Sequence, residues 1–341
     1  MMRCPTLDEL PTPDEGRSGW PWTEGGPQLP AAMPDGQPWP VLAVVTPSFN
    51  QATFLEETIR SVLLQGYPNL EYMVVDGGSG DGSVAIIQKY QRWLSWWVSE
   101  EDRGQADAIN KGLARASGEL FNWINSDDVL QPGALATVAQ AMRGDIDAFG
   151  GGGLVVEGVG EPVPRRCRRI AAKNIIRGDL GVQMLQPAIW LRRENVLRCG
   201  GPDSAFHYYF DVEMYLRYLA LFPRVGYGPA VLAAFRVHPA SKTVTRPEAF
   251  FTEYRRALEK VSRLQGFEAL RTPCRRRLQE LDRHRAVARV LADGGTANWR
   301  RAARLLALAL HHPRPRMLRI SAAAVRRLLR NQPWITQDHP G

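Results

Sequence analysis

Short runs of β-branched residues alternate with longer stretches of helical periodicity between residues 41 and 142. The run VLAVV at 41–45 predicts a buried strand, and the apolar residues from 55 to 63 recur at the spacing of one helix face. A second strand is predicted at 71–75. Such a strand–helix–strand unit of about 30 residues needs a parallel sheet with a right-handed crossover. The pattern therefore predicts an α/β fold with a mainly parallel, doubly wound sheet.

Composition divides the 341 residues into three parts. Residues 1–40 contain nine Pro and five Gly without hydrophobic periodicity, which predicts a disordered leader. Residues 41–250 carry the α/β pattern and are predicted to form one domain. Residues 251–341 contain 20 Lys and Arg against 7 Asp and Glu, and their periodicity predicts a basic helical module.

The basic module contains two amphipathic segments, one at 305–310 and one at 318–330. Arginines flank both apolar faces, which predicts binding of residues 251–341 to an anionic membrane surface. A solvated surface on helices that pack against the α/β domain fits the same pattern. Binding to nucleic acid is not expected, because the module lacks aromatic residues interleaved with its positive charges.

Targeting signals are not recognisable in the sequence. No apolar run approaches the roughly 18–20 residues that span a bilayer, and the first ten residues do not resemble a secretory signal. The four cysteines include no CxxC pair, which favours a reducing compartment. We therefore expect a cytoplasmic protein that can also lie peripherally on the inner face of the plasma membrane.

Polar side chains follow three of the predicted strands at their carboxyl ends. Thr46, Ser48 and Asn50 follow the first strand, Asp76 ends the second, and Asn-Ser-Asp-Asp at 125–128 ends a later one. In an open parallel sheet, ligands bind outside the carboxyl ends of the strands. The three polar loops are therefore expected to form one site.

The adjacent carboxylates of Asp127 and Asp128 indicate a cation, because two negative charges held together are unfavourable alone. Mg²⁺ or Mn²⁺ commonly takes one or two protein carboxylates and completes its shell with substrate phosphates and water. The alternative is that one of the pair caps the following helix. The loop after the first strand lacks a dinucleotide-binding GxGxxG motif, and the sequence contains no P-loop, so a metal is expected to hold the phosphates.

The order of these motifs resembles family 2 of the inverting GT-A glycosyltransferases. The segments that carry the resemblance are TPSFNQATFLEETIRSVLLQGYPNLEYMVVDGGSGDGS from Thr46 and SEEDRGQADAINKGLARASGELFNWINSDD from Ser99. The likeness extends from Val41 to Ser241 and is greatest to the bacterial branch that builds polysaccharide and O-antigen units. It implies a nucleotide-diphosphate sugar donor, most often UDP-linked, and a divalent cation, Mn²⁺ or Mg²⁺.

The resemblance also implies roles for individual residues on the donor side. Asp76 corresponds to the acid that reads the base, although a cap on the following helix is the alternative. Asp127 corresponds to the residue near the ribose, and Asp128 to a metal ligand. Lys111 could equally be an ordinary surface lysine. The full set of positions that match donor-binding segments is Thr46, Ser48, Asn50, Asp76, Asp107, Asn110, Lys111 and Asp127.

On the acceptor side, the resemblance identifies Asp211 with the general base. Family members often carry Glu-Asp here, whereas this chain has Phe210-Asp211, so the first acid is missing. The alternative is that Asp211 caps its helix, with Glu213 as the base instead. Arg236 is expected to support the phosphates, and His238 to contact the diphosphate or the metal, although a lone histidine is more often structural.

The predicted activity is inverting transfer of a sugar from a nucleotide-diphosphate donor to an acceptor hydroxyl. The expected acceptor is a glycan or lipid-linked glycan in polysaccharide biosynthesis. Transfer to a protein or small molecule is the alternative within enzymes. A protein that only binds nucleotide sugars is a further alternative, which the combined set of Asp76, Asp127, Asp128 and Asp211 disfavours.

Overall fold

A computed structural model describes residues 3–158, 160–179, 181–292, 300, 303–305 and 307. Within these residues, nine strands form one continuous sheet. The strands are β1 (Leu42–Ser48), β2 (Leu70–Asp76), β3 (Trp96–Ser99), β4 (Leu120–Trp123), β5 (Val129–Leu130), β6 (Ala148–Glu157), β7 (Val163–Arg166), β8 (Ile189–Arg192) and β9 (Val225–Val237).

The strand order is β3–β2–β1–β4–β8–β6–β9–β5. Strand β7 lies off this path and pairs with residues 152–155 of β6. Strands β3, β2, β1 and β4 are mutually parallel, as the alternating pattern predicted. Strand β8 is antiparallel to both β4 and β6, whereas β9 is parallel to β6 and antiparallel to β5. The sheet is therefore parallel in its first half and mixed in its second.

Helices connect the strands of the parallel half. The first three lie between β1 and β2, between β2 and β3, and between β3 and β4, so each is a crossover connection. The described α-helices are α1 (Ala52–Leu63), α2 (Ser83–Tyr90), α3 (Gln105–Arg115), α4 (Ala134–Ala141), α5 (Ala172–Arg177), α6 (Arg193–Arg198), α7 (Phe210–Leu221), α8 (Lys242–Thr245), α9 (Pro247–Val261) and α10 (Glu268–Ala292).

Strand β1 lies in the middle of the parallel half, and all seven of its residues are buried. Helix α3 packs closely on it at Gly112, where a Cβ atom would come within 2.5 Å of Cγ2 of Val45. Only glycine permits this approach of helix to strand without displacing Val45. The contact fixes the position of α3 beside the carboxyl end of the sheet.

The strand register aligns polar residues at that end. Ser48 of β1 lies level with Asp76 of β2, and Asp76 lies level with Ser99 of β3. These three residues end their strands, so their side chains meet at one edge of the sheet. The sequence predicts that the polar residues ending β1 and β2 lie close together, and this is confirmed.

The Pro- and Gly-rich leader is packed, so the prediction of a disordered segment over residues 1–40 is wrong for its described part. Cys4, Leu10, Trp22, Met33 and Trp39 are all buried. The apolar residues of the leader have no regular spacing in the sequence, although they are buried. A periodicity criterion misses a segment that packs in this way.

Arg60 of α1 joins the leader to the domain. Its guanidinium is fully buried and donates to the carbonyls of Pro11, Pro21 and Trp22 at 2.8–3.0 Å. It also donates to the hydroxyl of Tyr90 at 3.0 Å. These acceptors offset the cost of removing the cation from water, because each replaces a lost hydration contact.

The chain forms two compact units, residues 1–257 and 258–341. The predicted boundary at 250/251 falls inside α9, and the three-part division into domains stays a prediction. Helix α10 fits the expected basic helical module, and Leu305 is buried. Of the two amphipathic segments, the residues at 306 and 308–310 and all of 318–330 lie outside the described residues. Among the described helices, none has the length and apolar character needed to cross a bilayer.

Replacing Arg60 with Met is expected to destabilise the protein by about 3 kcal/mol, because the buried carbonyls of Pro21 and Trp22 and the part-buried carbonyl of Pro11 would lose their donor. Arg17→Met is the matched control, since Arg17 is exposed and only covers the ring of Trp22 at 4.4 Å. Urea unfolding measures both variants, and limited proteolysis reports release of the leader. Equal stabilities and an equally protected leader would contradict the assigned role of Arg60.

Candidate functional site

The end of β1 supplies two hydroxyl groups in different environments. Thr46 is fully buried, and its hydroxyl is hydrogen-bonded to that of Tyr72 at 3.0 Å. Ser48 is only 4% exposed, and its Oγ has no hydrogen-bond partner among the described residues. An unpaired buried hydroxyl is unfavourable, so the Ser48 side chain is suited to a ligand that supplies the missing hydrogen bond.

Asn50 connects the loop after β1 to the loop after β2. Its backbone adopts the left-handed conformation with φ of 53°, which Asn tolerates better than most residues. Its N–H donates to Oγ of Ser79 at 2.7 Å, and its Oδ1 accepts from the N–H of Gly80 at 3.0 Å. The side chain of Asn50 is thus used to hold the two loops together.

Asp76 lies fully buried at the end of β2. Its carboxylate accepts from the N–H groups of Gly78 and Ser79 at 3.1 and 2.8 Å, and from the hydroxyls of Ser79 and Ser99 at 2.6 and 2.7 Å. Four donors from the protein therefore fix this carboxylate and shape the loop that follows it. The predicted contact of Asp76 with a nucleobase would use the same two oxygens that accept these four hydrogen bonds.

Asp128 is the most deeply buried acid of the loop after β4. Its Oδ1 accepts from the backbone N–H of Arg236 at 3.2 Å, and its Oδ2 from the amide of Asn125 at 3.0 Å. Desolvation, and then the negative charge of Asp127, raise the pKa of Asp128 well above its usual range. A nearby cation would relieve both effects.

Strand β9 and the residue just after it bring the side chains of Arg236 and His238 to this acidic pair. Val129 of β5 pairs antiparallel with Ala234 of β9, and continuing that register sets Arg236 level with Asp127. The Nε of Arg236 donates to the carbonyl of Asp127 at 2.6 Å, and Nε2 of His238 lies 3.1 Å from Oδ2 of Asp127. Asp127 therefore contacts both Arg236 and His238.

The remaining contacts of Arg236 and His238 involve α1. Nη1 of Arg236 donates to Glu57 at 2.8 Å, whereas its Nη2 is buried without a hydrogen-bond partner in the described chain. The ring of His238 packs on that of Phe54 with 4.6 Å between centroids. Arg236 thus retains an N–H group for an anion, although one carboxylate already neutralises its charge.

The three predicted residues of α3 all have protein partners. Asp107 is paired with Arg103 at 2.7 Å, and that hydrogen bond lowers the pKa of Asp107. Lys111 is paired with Glu100 at 2.7 Å. Asn110 donates to the carbonyl of Pro202 at 2.6 Å. In this structure, these side chains hold α3 to neighbouring loops, and their predicted contacts with a nucleotide stay predictions.

Asp211 is half-buried in the first turn of α7. Desolvation raises its pKa to about 6, against hydrogen bonds from backbone N–H groups and the positive charge of Lys242. A carboxylate with a raised pKa can accept a proton near neutral pH. The environment of Asp211 therefore suits a general base.

Glu213 is not suited to act as a base, so its role as the alternative to Asp211 is not supported. It is fully buried, and both of its oxygens accept from the guanidinium of Arg217 at 2.9 and 2.6 Å. Arg217 also donates to the carbonyls of Cys199 and Gly201. The Glu213–Arg217 pair of α7 is thus joined to the turn after α6, in which Gly201 has the left-handed φ of 63°.

Two polar residues that the sequence analysis missed, Lys242 and Gln105, link the predicted donor side to the predicted acceptor side. The ammonium of Lys242 donates to Oε1 of Gln105 at 2.9 Å and to the carbonyl of His207 at 3.3 Å. Gln105 in turn donates to Asn125 at 2.6 Å, and Asn125 binds Asp128. Neither residue lies in a periodic pattern; their only signal is proximity to Asp107 and His238 in the sequence.

Known glycosyltransferases are similar to this chain in sequence. One relative is an uncharacterised glycosyltransferase of Mycobacterium tuberculosis, 33% identical over 187 residues that cover 52% of this chain and 68% of the relative. Another is a GalNAc(5)-diNAcBac-PP-undecaprenol beta-1,3-glucosyltransferase of Campylobacter jejuni, 34% identical over 33% of this chain and 38% of the relative.

Among solved structures, residues 1–349 of TarS from S. aureus in complex with UDP-GlcNAc have the same fold. The TM-score is 0.59 at 16% identity, and the match covers 86% of this chain and 93% of that one. The family model described as glycosyl transferase family 2 matches residues 43–201, which extend from the second residue of β1 to beyond α6 and include Asp127 and Asp128. The chain therefore belongs to glycosyltransferase family 2 and is an enzyme with the GT-A fold.

Proposed function

We propose that this glycosyltransferase moves a sugar from a UDP-linked donor to an acceptor hydroxyl with inversion. The observation that carries the proposal is the pair formed by Asp127 and the buried Asp128, in which Asp127 contacts Arg236 of β9 and His238 just after that strand. Acidic and cationic groups at one edge of a sheet suit a diphosphate bound together with a metal. Asp211 supplies the base.

The loop after β1 supports nucleotide binding. Ser48 offers a buried hydroxyl that has no partner among the residues that the structure describes, and Phe49 beside it is 59% exposed. An exposed aromatic ring can stack on the face of a nucleobase. TarS, which shares the fold, was solved with UDP-GlcNAc, and this favours uridine as the base. Thr46, Asn50 and Asp76 keep the geometry of the loop.

A divalent cation fits the residues present only with help from the substrate. Among the described residues, no cluster of three or more His, Cys, Asp or Glu side chains could hold a metal by itself. Asp127 and Asp128 would hold Mn²⁺ or Mg²⁺ through their carboxylates, with His238 beside them, and the diphosphate would complete the shell. Bound there, the ion neutralises charge on the leaving diphosphate.

The chain's own residues then divide the remaining work. Asp211 takes the proton of the acceptor hydroxyl while that oxygen bonds to the anomeric carbon, and the bond from this carbon to the diphosphate oxygen breaks. The electron pair of the broken bond leaves with UDP. Nη2 of Arg236 donates to a phosphate oxygen.

The acceptor is proposed to be a lipid-linked glycan. The Campylobacter relative is named for a glycan on undecaprenol diphosphate, and part of its sequence aligns with this chain. Such an acceptor lies at a membrane, and residues 251–341 have the positive charge to reach an anionic surface. The proposal therefore includes peripheral binding of this module to the membrane.

Asp128→Asn is expected to remove metal-dependent donor binding, because one of two carboxylates is lost. Calorimetric titration with UDP, in Mn²⁺ and in EDTA, measures the effect. The wild type should bind UDP more tightly in Mn²⁺, whereas the variant should bind equally weakly in both. The EDTA titration is the internal control, since there the two proteins should agree. Wild-type affinity of the variant in Mn²⁺ would refute the metal assignment.

The pH profile tests Asp211 as the base. Its pKa of about 6 predicts that kcat/KM falls as the pH decreases through 6, because a general base works only when ionised. Release of UDP in Mn²⁺ is measured with the fastest donor among UDP-glucose, UDP-galactose and their N-acetyl forms.

Substitution tests the same assignment. Asp211→Asn should lower turnover by about 10²–10⁴-fold and leave the UDP affinity unchanged. Glu194→Gln, at an exposed acid of α6, is the control and should match the wild type. Substantial turnover by Asp211→Asn would show that another group takes the proton.

Flotation with vesicles tests the basic module in the full-length chain. Protein should float with vesicles that contain phosphatidylglycerol at low salt, and Arg275→Glu with Arg276→Glu should weaken this, because both arginines are exposed on α10. Arg165→Glu with Arg166→Glu makes the same charge change on the exposed strand β7 and is the control. Loss of flotation in the control alone would assign membrane binding to β7 instead.

A further inference from the structure

Glu253 of α9 binds the backbone directly before the helix that carries Asp211. Its carboxylate accepts from the N–H groups of His207 at 2.9 and 3.1 Å, Tyr208 at 2.7 Å and Tyr209 at 2.8 Å. Three consecutive N–H groups thus point at one carboxylate. Hydrogen bonds of this charge-assisted kind are about twice as strong as neutral ones.

The rest of α9 holds the same segment from one face of the helix. The ring of Phe250 lies 5.4 Å from that of Tyr208, and the ring of Tyr254 lies 5.3 Å from that of Tyr209. Positions 250, 253 and 254 are spaced to share one helix face. The helix therefore fixes both the backbone and the aromatic side chains of 207–209.

Arg256 extends the contact towards the N-terminal end of the loop. Its Nη1 donates to the carbonyl of Ala205 at 3.0 Å, and its guanidinium covers the ring of Phe206 at 4.8 Å. The loop from 205 to 209 leads into α7, where Asp211 is the second residue. Displacement of this loop would therefore displace the base.

We propose that Glu253 is a positioning residue for the transfer reaction, which sets the place and the charge environment of Asp211 from a helix beyond the family-matched residues. The inference rests on the proposed role of Asp211 as the base. The carboxylate of Glu253 accepts from the N–H groups that directly precede α7. A negative charge at that end of the helix also interacts favourably with the positive end of the helix dipole.

The charge of Glu253 also acts on Asp211 through space. The groups that face Asp211 are Glu253 from α9, Lys242 from α8 and Tyr215 one turn along α7. Glu253 raises the pKa of Asp211, and Lys242 lowers it. Removal of the Glu253 charge alone is therefore expected to make Asp211 ionise at a lower pH.

The experiment compares three full-length variants. Glu253→Gln removes the charge, Glu253→Asp keeps the charge but shortens the reach by one methylene, and Glu248→Gln is a control at an exposed acid of the same helix. UDP release in Mn²⁺ from the fastest UDP-sugar of the panel gives kcat and its pH profile. Calorimetry with UDP measures donor-site integrity, and hydrogen exchange of 207–209 reports the loop directly.

Glu253→Gln should lower kcat by up to about 10²-fold, the effect of a small misplacement of a reacting group. It should also move the acid limb of the profile to lower pH, speed up exchange at 207–209 and leave UDP affinity unchanged. Glu253→Asp should lower kcat without moving the acid limb. Glu248→Gln should match the wild type in every measurement.

A Glu253→Gln protein with the same kcat, acid limb and exchange as Glu248→Gln would overturn the proposal. A parallel fall of kcat, UDP affinity and thermal stability with an unmoved acid limb would also overturn it, because that result describes a purely structural residue. Undiminished turnover by Asp211→Asn would show that Asp211 is not the base, and this result does not depend on the measurements with the Glu253 variants. If the wild type releases no UDP, the proposed function fails, while hydrogen exchange still tests whether Glu253 orders the loop.

Discussion

The buried carboxylate of Asp128 is the group on which the arrangement of the site depends. An acid at that depth needs hydrogen-bond donors, and they come from Asn125 in its own loop and from the backbone of Arg236. The second donor is available because β9 pairs with β5 directly after the acidic loop. The same pairing brings the side chains of Arg236 and His238 to Asp127. The hydrogen bonds that satisfy one buried acid thus also place Arg236 and His238 in the candidate site.

The acceptor side is built on a comparable principle. Asp211 lies at the start of α7, and charge-assisted contacts fix two stretches of the chain that precede it. The Glu213–Arg217 pair binds the turn at 199–201, and Glu253 binds the N–H groups of 207–209. The proposed base therefore follows backbone that Glu253 holds directly and that Glu213 holds through Arg217. Lys242 then connects this stretch to the donor side through Gln105.

Much of the first half of the fold follows from local sequence. The apolar run at 41–45 and the helix spacing at 55–63 predict β1 and α1, and the polar residues after β1, β2 and β4 predict the edge where the site lies. The prediction of a disordered leader was wrong. Trp22, Met33 and Trp39 are buried, but they have no regular spacing in the sequence, so a search for periodicity does not find them. Glu213 was a plausible base by sequence, since spacing does not reveal that Arg217 binds both of its oxygens.

The sequence alone determined which residues end the parallel strands, because strand periodicity and the position of polar loops are local properties. These strand ends identified Ser48, Asp76 and the Asp127–Asp128 pair as candidate site residues. Only the tertiary structure decided their partners. Arg236 meets Asp127 through the register of β5 and β9, and Glu253 meets residues 207–209 through the packing of α9. Hydrogen bonds between residues so far apart in the chain are selected by packing, and no local pattern encodes that selection.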